Sequence, residues 1–97
     1  MSEESITRED FEINFDKAAA YVKNNPNVFN TDQALKLYGL YKLSLTGKCN
    51  TERPSGLFTS IKRQSMWDAW NDVSQKNIKN PKQMYVDYLT ELQPLWG

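Results

Sequence analysis

The sequence predicts an all-α domain of four helices, because apolar residues recur at helical spacing in four segments that are separated by helix-breaking residues. No segment shows the sustained alternation of apolar and polar residues that is typical of strands. Of the 97 residues, 39% are apolar and 25% are charged, an ordinary composition for a folded domain of this size. We therefore expect a single domain over residues 1–97, with one modest core.

The first predicted helix begins at Thr7-Arg8-Glu9-Asp10, which has the form of a capping box with a short acidic side chain in the reciprocal position. Residues 1–7 are expected to form an N-terminal tail. The apolar stripe of this helix comprises Phe11, Phe15, Ala18, Ala19 and Val22. The helix should end at Asn24-Asn25-Pro26, because the residue before a proline is driven out of the α region. A connector over 26–30 follows.

The second predicted helix has N-cap side chains in Asn30-Thr31-Asp32 and runs through about Leu45, where Gly47 should stop it. Its apolar residues cover a wide arc and comprise Leu35, Leu37, Tyr38, Leu40, Tyr41 and Leu45. Residues 47–59 are predicted to be a loop, since they are rich in Gly, Asn, Thr, Ser and Pro.

The third predicted helix starts near Ser60, and its apolar residues are Met66, Trp67, Trp70 and Val73. We expect Trp70 to belong to the core. Asn80-Pro81 strongly predicts the start of a fourth helix, with an N-cap asparagine followed by a proline at the first helical position. Tyr85, Leu89, Leu92 and Trp96 then repeat at helical spacing. This pattern predicts that Pro94 lies near the end of the helix, where a lost hydrogen bond matters least.

The charges balance overall but not locally. Twelve basic residues oppose twelve acidic ones, which argues against a dedicated nucleic-acid binder. From residue 42 to residue 66, however, Glu52 is the single acid among five cations, which are Lys42, Lys48, Arg53, Lys62 and Arg63. A basic segment in a neutral protein indicates a small anionic ligand.

Several classes of protein are disfavoured. The chain has no histidine, no glycine-rich phosphate motif and no metal-ligand spacing, so we expect no catalytic site, no metal and no cofactor. Cys49 is the single cysteine, which excludes an internal disulfide and fits a reducing, cytoplasmic setting. The acidic N-terminus does not resemble a signal peptide, and no apolar run approaches the length of about 18 residues that indicates a transmembrane segment.

Tyr38, Tyr41 and Lys42 share one face of the second helix. They could be residues at the edge of the core beside a solvated lysine. Alternatively, the tyrosines could pack against an aromatic ring while the lysine meets a phosphate. Periodicity leaves both interpretations open.

Four motifs, taken together, resemble the acyl-CoA-binding protein family in order and spacing. They are Phe15-Asp16-Lys17-Ala18-Ala19, Tyr38-Gly39-Leu40-Tyr41-Lys42, Gly47-Lys48-Cys49-Asn50-Thr51-Glu52-Arg53-Pro54 and Trp67-Asp68-Ala69-Trp70-Asn71. The resemblance covers about residues 11–97. It implies an up-down-down-up four-helix bundle without catalytic activity, which binds, buffers and transports medium- to long-chain fatty acyl-CoA thioesters.

The resemblance also implies roles for individual residues. Tyr38 matches a tyrosine that packs near the adenine, and Tyr41 and Lys42 match the pair at the 3′-phosphate. The predicted ligand-binding residues are Lys23, Tyr38, Gly39, Leu40, Tyr41, Lys42, Lys62, Arg63, Met66 and Tyr85. The residues predicted to line the acyl groove or the adjoining core are Phe15, Ala18, Ala19, Leu35 and Trp67.

Met66 departs from the family pattern, which usually has a phosphate-binding lysine at this position. The segment between Pro54 and Trp67 is also about two residues longer than the common form. Lys62 and Arg63 precede Met66 by one helical turn and share its face on a continued helix, so we expect them to replace the missing charge.

A monomeric carrier that meets acyl-CoA-using enzymes or membranes transiently is the favoured interpretation, since free-standing family members have about this length. The ending Leu95-Trp96-Gly97, in place of a lysine-rich tail, keeps open an acyl-CoA-sensing or targeting domain of a longer protein. Because Met66 lacks the usual charge, a protein-interaction module that no longer binds the ligand is a further alternative. A thioesterase or isomerase is the enzymatic alternative.

Overall fold

The computed structural model describes residues 8–57 and 59–97, with side chains described from Glu12 onward. Over this part of the chain it has four α-helices and no strand, which confirms the predicted all-α class. They are α1 (Arg8–Asn24), α2 (Thr31–Thr46), α3 (Ile61–Ser74) and α4 (Pro81–Leu92). The predicted tail over 1–7, the capping box at Thr7 and the Phe11 side chain lie outside the described residues.

Side-chain caps begin three of the helices at the predicted places. The Asn30 side chain accepts a hydrogen bond from the Gln33 backbone N–H at 2.8 Å, and the Gln33 side chain accepts one from the Asn30 N–H at 3.0 Å. The Ser60 side chain caps α3 by accepting from the Arg63 backbone N–H, and the Asn80 side chain caps α4 by accepting from that of Gln83. Each cap satisfies a backbone donor that the first helical turn leaves without a partner.

The end of α4 differs from the prediction. The helix ends at Leu92, so Pro94 and Trp96 lie beyond it and the expected helical continuation to Trp96 is wrong. Gln93 lies one residue before Pro94 and has non-helical angles (φ −137°, ψ 79°), as the restriction on pre-proline residues requires. Trp96 nevertheless packs on α1, with its ring centroid 6.2 Å from that of Tyr21.

The core lies between α1, α2 and α4, with Val73 added from α3. Its buried residues are Phe15, Ala18, Leu37, Leu40, Leu43, Val73, Tyr85 and Leu89. The helix α2 is central, since it packs against both α3 and α4, while α1 packs against α4. A Cβ atom on Gly39 would lie 2.6 Å from the backbone oxygen of Ala69, so glycine permits the close approach of α2 and α3. None of the described helices combines the length and the apolar character that a bilayer crossing needs.

Candidate functional site

An apolar cavity of about 430 Å³ lies between α1, the short 3₁₀ turn Pro26–Val28 and α2. It is lined by Ala19, Ala20, Val22, Lys23, Pro26, Phe29, Ala34, Leu37, Tyr38, Tyr41 and Tyr85. Alanines on both α1 and α2 leave room between the two helices. Lys23, in the last turn of α1, is the charged residue of the lining.

The floor of this apolar cavity is part of the core. Leu37 and Tyr85 are 1% and 2% exposed, and the Tyr85 ring meets that of Phe15 edge to face at 5.2 Å. The Phe15 ring also stacks on Tyr41 at 5.9 Å. Burial raises the pKa of Tyr85 well above its usual range, because the ionised phenolate would lose its hydration. The floor of the cavity is therefore apolar and is shared with the core.

A second, cationic cavity of about 390 Å³ lies between α2, α3 and the loop that joins them. It is lined by Tyr38, Lys42, Thr51, Pro54, Ser60, Lys62, Arg63, Met66, Trp67 and Trp70. Lys42, Lys62 and Arg63 give it three positive charges. Tyr38 lines both cavities, so the apolar and cationic cavities adjoin at its side chain.

The three cations of the cationic cavity are held differently. Lys42 is half-buried, with its Nζ 4.7 Å from the centroid of the Trp70 ring, a cation–π contact that positions the ammonium group. Lys62 and Arg63 are exposed in the first turn of α3, which contains no acidic residue. Because a helix N-terminus is itself electropositive, cations there favour a bound anion.

Polar contacts fix the loop that forms the outer wall of the cationic cavity. The Trp67 indole N–H donates to the backbone and hydroxyl oxygens of Thr51 at 3.2 and 3.1 Å. The Gln64 side chain donates to the Pro54 carbonyl at 3.0 Å. Arg53 and Asp68 form a bidentate pair at 2.8 and 3.0 Å, and this contact lowers the pKa of the Asp68 carboxyl.

Many of the residues predicted to form the site lie around the two cavities. Those on the apolar cavity are Ala19, Lys23, Tyr38, Tyr41 and Tyr85. Those on the cationic cavity are Tyr38, Lys42, Lys62, Arg63, Met66 and Trp67. The remaining predicted residues line neither: Phe15, Ala18, Gly39 and Leu40 are buried, and Leu35 is half-buried.

Sequence reasoning assigned no binding role to several lining residues. In the apolar cavity these are Ala20, Val22, Pro26, Phe29, Ala34 and Leu37; in the cationic cavity they are Thr51, Pro54, Ser60 and Trp70. Phe29 carried a usable signal, since it is the one aromatic residue in the connector over 26–30. Trp70 is buried, as expected, and it also lines the cationic cavity.

The described residues contain no group of three or more His, Cys, Asp or Glu side chains that could hold a metal ion. The described lining of the two cavities also contains none of these four residue types. The site therefore offers aromatic surface, apolar surface and positive charge.

Comparisons with known proteins give a consistent result. The family model "Acyl CoA binding protein" matches residues 12–89. An acyl-CoA-binding protein of Ricinus communis is 37% identical over 90 residues, which cover 93% of this chain and 90% of that protein. The crystal structure of acyl-CoA-binding protein 2 of Oryza sativa matches with a TM-score of 0.67 and 33% identity, over 88% of this chain and 89% of that one. This match confirms the predicted up-down-down-up bundle.

Longer proteins also match. Acyl-CoA-binding domain-containing protein 6 of Xenopus laevis is 31% identical over 94 residues, which are 97% of this chain and 32% of that protein. The chain thus spans about a third of the length of this relative.

Proposed function

We propose that this chain, which belongs to the acyl-CoA-binding protein family, binds medium- to long-chain fatty acyl-CoA thioesters and carries them without catalysing their reaction. The observation that carries the proposal is the pair of cavities that adjoin at Tyr38, one apolar and one with three cations. An acyl-CoA has the same division, with an apolar chain joined to a phosphorylated nucleotide. One ligand would therefore occupy both cavities.

The nucleotide head would bind in the cationic cavity. Tyr38 would pack against the adenine ring, while Lys42, Lys62 and Arg63 would contact phosphate groups. Met66 also lines this cavity but brings no charge, so Lys62 and Arg63 would supply what a lysine at position 66 supplies elsewhere in the family. Arg63 can hold a phosphate through two parallel hydrogen bonds, whereas a lysine acts as a point charge.

The acyl chain would bind in the apolar cavity. Each methylene that leaves water contributes about 0.8 kcal/mol, so about ten of them add around 8 kcal/mol before the cost of ordering the chain and the protein. Free CoA would gain only the contacts of the cationic cavity, and a free fatty acid would gain only those of the apolar cavity. The thioester should consequently bind far more tightly than either fragment.

The carrier would act as a monomer in the cytoplasm and would pass its ligand to acyl-CoA-using enzymes or membranes. The described lining residues offer no carboxylate, histidine or thiol as a general base or nucleophile, which supports carriage over hydrolysis. Release of CoA from a bound thioester should therefore stay at the rate of a protein-free control.

Isothermal titration with palmitoyl-CoA tests the proposal, with free CoA and palmitate as parallel ligands. We expect one-to-one binding of the thioester and much weaker binding of both fragments. Equal affinities for CoA and palmitoyl-CoA would show that the acyl chain does not bind in the apolar cavity. A thioester that does not bind at any chain length would overturn the function altogether.

A second candidate keeps the ligand and changes the role. The chain spans only about a third of acyl-CoA-binding domain-containing protein 6, so it could be the ligand-sensing or targeting domain of a longer protein. Determining the full reading frame separates the two roles: a second domain in frame favours sensing, and a stop codon directly after Gly97 favours the free carrier.

A further inference from the structure

The loop between α2 and α3 carries apolar side chains that line neither cavity. Leu57 is 96% exposed, and Ile61, the first residue of α3, is 82% exposed. Among the large apolar side chains of the described residues, only Leu95, at 95%, is comparably exposed. Single exposed apolar residues are common, but two nearly complete exposures four positions apart form a patch that folding does not explain.

Local hydrogen bonds build the turn that presents this patch. The Thr59 hydroxyl donates to the Ser55 carbonyl at 2.7 Å, and the Thr59 N–H donates to the Gly56 carbonyl at 3.3 Å. Gly56 has φ +106°, a conformation that glycine adopts without strain. Leu57 therefore lies next to residues that these hydrogen bonds hold together.

Positive charge lies directly beside the patch. Lys62 and Arg63 follow Ile61 in the chain, and both are exposed. Glu52 is the single acidic residue over 52–63. Exposed aliphatic side chains next to cations fit the interface of an anionic bilayer, where the apolar groups insert and the cations meet lipid phosphates.

We propose that the turn bearing Leu57 and Ile61 docks this protein on anionic lipid bilayers. Ser60, Lys62 and Arg63 also line the cationic cavity, so docking would place the rim of that cavity at the membrane surface. Loading of acyl-CoA from the membrane would follow from this placement. That consequence rests on the proposed function, whereas docking itself does not.

Flotation of the full chain with lipid vesicles tests the docking. Vesicles of mixed phosphatidylserine and phosphatidylcholine are compared with pure phosphatidylcholine, in the absence of acyl-CoA. The protein should partition onto the anionic vesicles, less at higher salt because screening weakens the attraction. A double variant, Leu57→Gln with Ile61→Gln, should partition about tenfold less, since it loses the inserting aliphatic groups.

Leu95→Gln is the matched control. Leu95 is as exposed as Leu57, but the nearest charged residue in the sequence is the acidic Glu91, whereas Ile61 is followed directly by Lys62 and Arg63. Its loss should leave vesicle binding unchanged. Palmitoyl-CoA titration of the double variant in lipid-free buffer should match the wild type, which establishes that the variant folds and separates failure of docking from failure of the proposed function.

Three results would overturn the docking proposal. One is a double variant that floats as well as the wild type, and another is equal binding to neutral and anionic vesicles. The third is a wild type that does not bind vesicles but forms a dimer in solution. Sedimentation would then show that the double variant does not form this dimer. In that case the surface would serve a second copy of the chain.

Discussion

The two cavities differ in what holds their walls, although they share Tyr38 and adjoin on one helix. The apolar cavity is built on core residues, since Leu37 and Tyr85 are at once its floor and part of the packed interior. The outer wall of the cationic cavity is a loop that polar contacts tie to α3, among them the bonds from Trp67 to Thr51. Changes in the apolar cavity should thus alter stability and binding together, whereas changes in the cationic cavity should alter binding with little cost in stability.

Leu37→Ala should give the largest loss of stability. Leu37 is 1% exposed, and truncation of such a leucine costs about 3 kcal/mol of unfolding free energy through lost burial and an enlarged cavity. Urea denaturation measures this loss, with the exposed Leu95→Ala as the control that should change little. Affinity for palmitoyl-CoA should fall more than affinity for CoA. A loss of stability below about 1 kcal/mol would mean that the wall is not part of the core.

Arg63→Gln should separate binding from stability. If Arg63 contacts a phosphate, the loss of one charged hydrogen bond lowers CoA affinity by about 1.5–3 kcal/mol, which is tenfold or more. The unfolding free energy should change by less than about 0.5 kcal/mol, because the side chain is exposed. Lys62→Gln should act similarly.

Lys76→Gln is the control for both charge variants, since Lys76 is an exposed lysine that pairs with Asp72 and lines neither cavity. Calorimetry with CoA checks the comparison. If Arg63→Gln and Lys62→Gln both bind CoA as the wild type does, then neither residue compensates for Met66.

Trp67→Phe should loosen the loop wall while keeping a smaller aromatic ring at this position. The variant loses the indole N–H that bonds to Thr51, a contact worth about 1 kcal/mol. CoA affinity should fall severalfold, and the effect on palmitate binding should be small. Amide hydrogen exchange checks the cause, because protection should fall in the loop over 47–57 and not in α1. Uniform loss of protection would point to a core role for Trp67 instead.

Asp68→Asn should give the smallest loss of stability, and this loss should depend on pH. Arg53 lowers the pKa of Asp68 in the folded state, so the pair stabilises the fold above the ordinary aspartate pKa of about 3.9. This stabilisation is lost as the pH falls through the lowered folded-state pKa. The variant should melt slightly below the wild type at neutral pH, and the two melting temperatures should converge in acid, once the pH lies below the lowered pKa of Asp68. A difference that persists in acid would assign the loss to packing.

Local signals explain how much of the fold could be predicted. Asn30, Ser60 and Asn80 cap helices through bonds to residues three positions on, so each start was visible in a short window of sequence. The continuation of α4 to Trp96 failed for an equally local reason, because the constraint that Pro94 places on Gln93 outweighed the apolar repeat.

The cavities could not be predicted from such windows. Phe29 and Ala34 face Ala19 and Ala20 only because the chain turns back after α1, and no periodicity encodes that meeting. Periodicity also did not decide whether Tyr38 and Lys42 lie at the edge of the core or on a binding surface. The family resemblance supplied the site residues, and it could not foresee that Leu35 would lie outside both linings while Leu37 would contribute to one.

The central claim is that one ligand occupies both cavities at once, and backbone amide shifts during titration test it most directly. With palmitoyl-CoA, the amides of Ala20 and Ala34 on the apolar cavity should shift along the same saturation curve as those of Lys42 and Arg63 on the cationic one. Free CoA should move only the second group. Saturation of the two groups at different ligand concentrations, or shifts of the first group with CoA alone, would contradict the account.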